Sequence, residues 1–134
     1  MSLWTNILIM KKLFIIILLS LSYISYGQRH YVSYKNIMYS YNEITDHWDY
    51  VLETNDDIKL TVFQNDIFVE SKDMSHYTKY LYYGMSQENG YTLKKWKAYD
   101  NHNRTLIVFE YSYSDETRIS FMYNDVAYTY CILK

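Results

Sequence analysis

Asparagine and aspartate punctuate most of this chain at near-regular intervals: Asn55-Asp56-Asp57, Asn65-Asp66, Asn89-Gly90, Asn101-His102-Asn103, Ser114-Asp115-Glu116 and Asn124-Asp125. The runs between them are rich in Tyr, Ile, Val, Thr and Phe, residues that suit a pleated, half-buried surface. Asn and Asp tolerate the positive φ of tight hairpin turns, so each cluster predicts a turn with a mechanism. Nine strands follow, near 30–42, 47–54, 58–64, 67–72, 77–87, 91–99, 104–113, 117–123 and 126–133. The expected fold class is therefore all-β, an antiparallel up-and-down meander of eight or nine strands. Such a sheet curls to protect its edges, closing as a small barrel, with a two-layer sandwich as the alternative.

A one-residue slip sends every side chain to the other face, so the register can be tested on the sequence. A two-residue loop at Asn124-Asp125 pairs Phe121 with Tyr128 and Ile119 with Tyr130, leaving Arg118, Ser120, Met122, Ala127, Thr129 and Cys131 opposite. The turn at Asn65-Asp66 gathers Ile58, Leu60, Val62, Ile67 and Val69 on one face. Three-residue loops at 55–57 and 114–116 bring Trp48, Tyr50 and Leu52, and then Ile107, Phe109 and Tyr111, onto the same apolar face. A tight turn at Asn89-Gly90 pairs Tyr83 with Trp96 and Leu81 with Ala98. The expected interior is thus bulky and largely filled, built from Trp48, Tyr50, Tyr83, Trp96, Phe109, Tyr111, Phe121, Tyr123, Tyr128 and Tyr130.

Ahead of the strands, Lys11-Lys12 precede an apolar run from Leu13 to Leu21, and Ser25-Tyr26-Gly27 lead into Gln28. A cationic start, a short apolar core and small residues before a cleavage point make a secretory signal peptide over residues 1–27, with Met10 as an alternative start. The competing reading is a membrane anchor, but the lysine pair interrupts the apolar run and serines weaken its end. A lipid anchor would need cysteine where Gln28 stands. The expected product is one β domain, residues 28–134, with no stable membrane insertion once the leader is removed.

All fifteen acidic residues and all the basic ones except Lys11 and Lys12 lie after Gly27, so the domain is mildly acidic. Nucleic acid is therefore not an expected partner, since phosphate binding wants a basic face. Cys131 is the only cysteine, which excludes an intrachain disulfide and places the load on apolar packing. It is expected as a small buried residue of the last strand. No G-x-S-x-G elbow, phosphate-cradling glycine loop or dinucleotide fingerprint occurs, so no catalytic residue, cofactor or metal is assigned. The scattered His30, His47, His76 and His102 lack zinc-site spacing, and Asp46-His47-Trp48-Asp49 and Asp100-Asn101-His102-Asn103 are read as turn chemistry.

The outward face of the Asn89-Gly90 hairpin is the unusual surface. Tyr80, Tyr82, Tyr91, Lys95, Lys97 and Tyr99 are the candidate binding residues, with Leu93 on the same side, because tyrosine and lysine interleaved on a strand surface can stack on sugar rings or grip an acidic protein. Lys94 is expected to point inward. The leader and the Tyr, Ile, Asn and Lys enrichment resemble those of short exported proteins of AT-rich Gram-negative bacteria. That likeness implies a periplasmic or extracellular destination and carries no activity. The leading expectation is a non-enzymatic binding module for a protein or saccharide of the cell envelope, acting through the Tyr/Lys face or the open end of the barrel. A small-ligand carrier with an internal cavity is the alternative, and a hydrolase ranks third.

Overall fold

The alternating runs become strands almost wherever the turn residues leave room for them. The computed structural model describes residues 3–26 and 28–134, and the side chains of 3–18 and 28–134. A helix, α1 (Leu3–Tyr26), precedes ten strands: β1 (Arg29–Ser33), β2 (Lys35–Asn42), β3 (His47–Thr54), β4 (Ile58–Val62), β5 (Asp66–Glu70), β6 (Met74–Glu88), β7 (Tyr91–Asp100), β8 (Thr105–Ser112), β9 (Glu116–Met122) and β10 (Val126–Leu133). Among the described residues no helix is long and apolar enough to cross a membrane. The expected cleavage point after Gly27 lies outside the described residues.

All ten strands form one antiparallel sheet in the order β1-β4-β5-β6-β7-β8-β9-β10-β2-β3. β1 and β2 are joined through Tyr34 alone yet lie near opposite ends of that order, which requires the sheet to curl into a half-barrel. The count is ten rather than eight or nine because the expected strand 30–42 breaks at Tyr34. The break is held by polar links. The Tyr34 N–H donates to the Cys131 carbonyl at 3.0 Å, and its hydroxyl donates to Glu116 Oε1 at 2.7 Å. The Ser33 hydroxyl donates to Asn36 Oδ1 at 2.6 Å across the bend, and Asn36 Nδ2 donates to the Asp56 carbonyl at 2.9 Å. These bonds satisfy backbone and side-chain groups that a bent, buried strand would otherwise leave unpaired.

The break also overturns the expected loop at 55–57. β3 pairs with β2, through Tyr39 with Tyr50 and Tyr41 with Trp48, whereas β4 pairs with β1 and β5. The turn that counts is 43–46, where the Ile44 and Thr45 N–H groups donate to Asn42 Oδ1 and Asp46 takes a positive φ of 56°. Trp48, Tyr50 and Leu52 consequently lie on an exposed edge strand, at 37%, 59% and 46% exposure, and not in the core.

Two other expected registers need correction. The β8–β9 loop has two residues, closed by the Tyr113 N–H on the Glu116 carbonyl at 2.8 Å. That pairs Val108 with Phe121 and sends Phe109 and Tyr111 outward with Ser120 and Arg118. In the β6–β7 hairpin the Asn89-Gly90 turn forms as expected, but two irregularities, between Tyr82 and Gly84 and between Lys79 and Leu81, leave out Tyr83 and then Tyr80. Trp96 therefore faces Tyr82 rather than Tyr83, and Ala98 faces Lys79 rather than Leu81. Gly84, with φ of 112°, supplies the backbone freedom that the first bulge needs.

The expected pairs Phe121 with Tyr128 and Ile119 with Tyr130 are present, as is the apolar face of β4 and β5. The core is Leu60, Val62, Ile67, Val69, Tyr77, Ala98, Leu106, Val108, Ile119, Phe121 and Ile132, with Tyr31, Ile58, Trp96, Tyr123 and Tyr130 against it. Tyr77 stacks on Phe121 at 4.0 Å, and Tyr130 meets Phe121 edge-on at 5.8 Å. Lys79 is also buried here, its ammonium 4.5 Å from the Trp96 ring centre. Burial pushes its pKa down, and Glu110 opposes that shift. Lys94 shares the inner face, directly across from Glu110.

Candidate functional site

The inner tyrosines continue beyond the core to one end of the sheet, where the β5–β6 and β7–β8 loops approach β9 and β10. A cavity of about 420 Å³ lies there, lined by Ser71, Asp73, Met74, Ser75, Tyr77, Asp100, Asn101, His102, Arg104, Tyr123, Tyr128 and Tyr130. The strand register explains why it is tyrosine-rich: Tyr128 and Tyr130 alternate onto the same face as Phe121, and Tyr77 faces them from β6. Rings therefore form one wall and loop polar groups the other.

Asp100, at the end of β7, organises the polar wall. It is 4% exposed. Its Oδ1 accepts the His102 and Arg104 N–H groups, each at 2.9 Å, and its Oδ2 accepts Arg104 Nε at 3.0 Å and the Tyr123 hydroxyl at 2.7 Å. Asn103 completes the turn with a positive φ of 59°, a conformation Asn tolerates. Burial alone would raise the Asp100 pKa, but the Tyr123 hydroxyl, the two backbone N–H groups and the guanidinium outweigh it and hold it at about 2. Burial, and then the same contact, push the Tyr123 phenol up, and burial does likewise for Tyr130 and Tyr77. These phenols stay protonated at neutral pH; Tyr123 gives its proton to Asp100, while Tyr77 and Tyr130 can donate hydrogen bonds. The Arg104 guanidinium lies 4.9 Å from the Tyr123 ring centre, so a fixed charge borders the cavity.

The Tyr/Lys surface is a row with a shallow depression of about 300 Å³ at one end, lined by Tyr80, Tyr99, Asn103 and Thr105. Tyr91, Lys95, Lys97 and Tyr99 lie on one face of β7, but eight residues of strand separate its ends by about 27 Å. Tyr80 and Tyr99 meet at 5.7 Å between ring centres at one end. Lys95 sits 5.2 Å from the Tyr83 ring centre, and Tyr91 packs against Tyr111 and Tyr113 at the other end. Tyr82 is displaced from this row by the bulge at Tyr83 and stacks on Trp96 at 5.3 Å.

A second depression, about 250 Å³, lies on the outer face of β8, β9, β10, β2 and β3. Its floor is Ser120, Ala127 and Thr129, with the two hydroxyls bonded at 2.8 Å. Phe109, Tyr111, Tyr113, Met122, Tyr39 and Trp48 wall it. The small floor residues are buried because their neighbours are tall. Sequence parity separated the floor residues from the core but misplaced Phe109 and Tyr111, so the groove was not foreseen.

His76 Nε2 lies 2.8 Å from Asp66 Oδ1 and 3.5 Å from the Thr78 hydroxyl, while that hydroxyl donates to Asp66 at 3.2 Å. A nucleophilic relay needs the carboxylate and the hydroxyl on opposite ring nitrogens. Here both use Nε2. Cys131 is fully buried, and burial pushes its thiol up to about 11, the setting of a packing residue rather than a nucleophile. Among the described residues no group of three or more His, Cys, Asp or Glu side chains is placed to hold a metal.

No protein-family model, curated protein or solved structure matches this chain.

Proposed function

We propose that the protein is an exported, non-enzymatic binding module that takes a saccharide of the cell envelope at the open end of a small β-barrel. The observation that carries this reading is the cavity of about 420 Å³ in which Tyr77, Tyr123, Tyr128 and Tyr130 share walls with Asp73, Asn101, His102 and Arg104. Sugars present apolar C–H faces that stack on aromatic rings and hydroxyls that need both donors and acceptors, and this lining offers both. The cationic start and apolar run of residues 10–21 support α1 as a cleaved signal peptide. The Tyr34 junction, which ties strands from opposite ends of the pairing order, supports closure of the curled sheet as a barrel. A carrier with a central void is less well supported, because Leu60, Ala98, Val108 and Phe121 fill the middle of the interior.

The test is calorimetric titration of the full chain with a panel of envelope oligosaccharides. At least one is expected to bind. Tyr128→Ala is expected to weaken it about tenfold, the loss of one aromatic contact worth about 1.4 kcal/mol, while Tyr128→Phe retains most of the affinity. Binding lost in Tyr99→Ala and Lys97→Glu but kept in Tyr128→Ala would move the site to the Tyr/Lys row. Absence of binding across the panel would reject the saccharide reading.

A further inference from the structure

The strand with the least burial in the domain carries an unusual combination of properties. β3 ends the strand order and pairs only with β2, so one edge of residues 47–54 has no strand partner among the described residues. All but Thr54 of its residues are exposed. Trp48 and Tyr50 rest on Tyr41 and Tyr39 of β2, but the apolar side chains keep much of their surface open: Val51 is 46% exposed, and Ile44 in the preceding turn is 96% exposed. An edge of this kind presents unpaired N–H and C=O groups ready to accept another strand.

Charge selects what can be accepted. Between residues 43 and 57 stand Glu43, Asp46, Asp49, Glu53, Asp56 and Asp57, with no lysine or arginine. Of these six carboxylates only Glu53 has a cation within ion-pair range among the described residues, Lys35 at 3.8 Å. Asp49 accepts Asn42 Nδ2 at 3.1 Å, and Asp46 accepts the Tyr41 hydroxyl, so neither is neutralised. A second copy of this chain would set one acidic edge against another, and like charges facing across a strand pair are destabilising. A membrane surface rich in anionic lipid would be repelled for the same reason.

We infer that the outer edge of β3 is a docking site for an extended, lysine- or arginine-bearing segment of another polypeptide, added to the sheet as a further strand. Main-chain hydrogen bonds supply affinity; Trp48 and Tyr50 on the outer face and Leu52 on the inner face cover the partner's apolar side chains, and Glu53 on the outer face and Asp49 on the inner face select its cations. The extra residue Val51, opposite the step between Met38 and Tyr39, bends the strand and leaves His47–Tyr50 as its longest regular stretch.

The experiment titrates the full chain with a synthetic ten-residue peptide alternating lysine and valine, and with its glutamate counterpart. The lysine peptide is expected to bind, more weakly as salt rises, and to slow amide exchange along β3; the glutamate peptide is expected not to bind. The double reversal Asp49→Lys and Glu53→Lys should reduce affinity at least tenfold with circular dichroism unchanged. Proline at Asp49 or at Tyr50 gives a second check, because successive N–H groups point to opposite edges. One of the two variants removes an outward donor and should lose binding while remaining folded. Failure of the lysine peptide to bind, equal binding of both peptides, affinity indifferent to these variants, or a dimer by sedimentation that persists in the charge reversal would each overturn the inference.

Discussion

Phe121→Ala is expected to lower the unfolding free energy by about 4 kcal/mol, the usual cost of removing a fully buried phenylalanine without collapse of the cavity it leaves. Phe121 is 0% exposed, lies against Tyr77 and Tyr130, and is paired with Val108 and Tyr128 on its two flanking strands within the core cluster. A domain of this size holds only about 5–15 kcal/mol in total, so the loss is a large fraction of its stability. Phe109→Ala is the informative control. The two-residue β8–β9 loop places Phe109 in the wall of the outer groove, partly exposed, and the expected loss there is about 1–2 kcal/mol. Urea unfolding followed by tryptophan fluorescence measures both. Equal losses would mean that the β8–β9 register is the three-residue one expected from apolar pattern alone.

Asp100→Asn is expected to be the next most damaging single change, because Arg104 and Tyr123 lose a charged acceptor that is almost fully shielded from solvent. The pH dependence identifies the cause. The folded pKa, about 2, lies below the ordinary value of 3.8, so the unfolded chain binds the proton more readily. The carboxylate's contribution is fully present above pH 4, declines as pH falls through the interval from 4 to 2, and amounts to about 2 kcal/mol. Unfolding measured from pH 7 to pH 2 should show native protein and variant separated at neutral pH and converging at the acid end. A constant separation would mean that Asp100 acts through shape and not through charge.

The order of strands and most of their limits were legible because turn chemistry is local. Asn89-Gly90 and Asn124-Asp125 each dictate a tight reversal whatever surrounds them, and residues 47–54 and 126–133 form strands at the expected positions. Pairing across distance was not legible. The apolar pattern of β3 is equally compatible with β2 and β4, and the choice depends on the bend at Tyr34, whose partners Glu116 and Cys131 lie far along the chain. Parity likewise failed in β8, where Leu106 and Val108 compete with Ile107 and Phe109 for the core and both sets are apolar. The selection is made by the Tyr113 to Glu116 closure, which also delivers the Glu116 carboxylate to Tyr34 and Arg118.

The candidate site was visible only in fragments. Asp100-Asn101-His102-Asn103 is identifiable as a polar loop, but the conversion of Asp100 into a buried hub depends on Tyr123 from a neighbouring strand. The tyrosines of β10 were expected as filling, and Tyr130 does pack on Phe121, yet the ends of the same alternation line a cavity once the loops stand over them. The bulges at Tyr80 and Tyr83 leave no mark in residue type except Gly84, so the division of the Tyr/Lys row could not be read in advance.

The curled sheet rests on one junction, the break at Tyr34 that sends β1 to β4 and β2 to β10. Interstrand proton contacts by nuclear magnetic resonance test it directly. Close Hα contacts or facing amides are predicted between Tyr31 and Leu60 and between Met38 and Tyr128. Contacts joining Leu52 to Leu60 and Tyr50 to Val62, with residues 30–42 running as one unbroken strand, would contradict it.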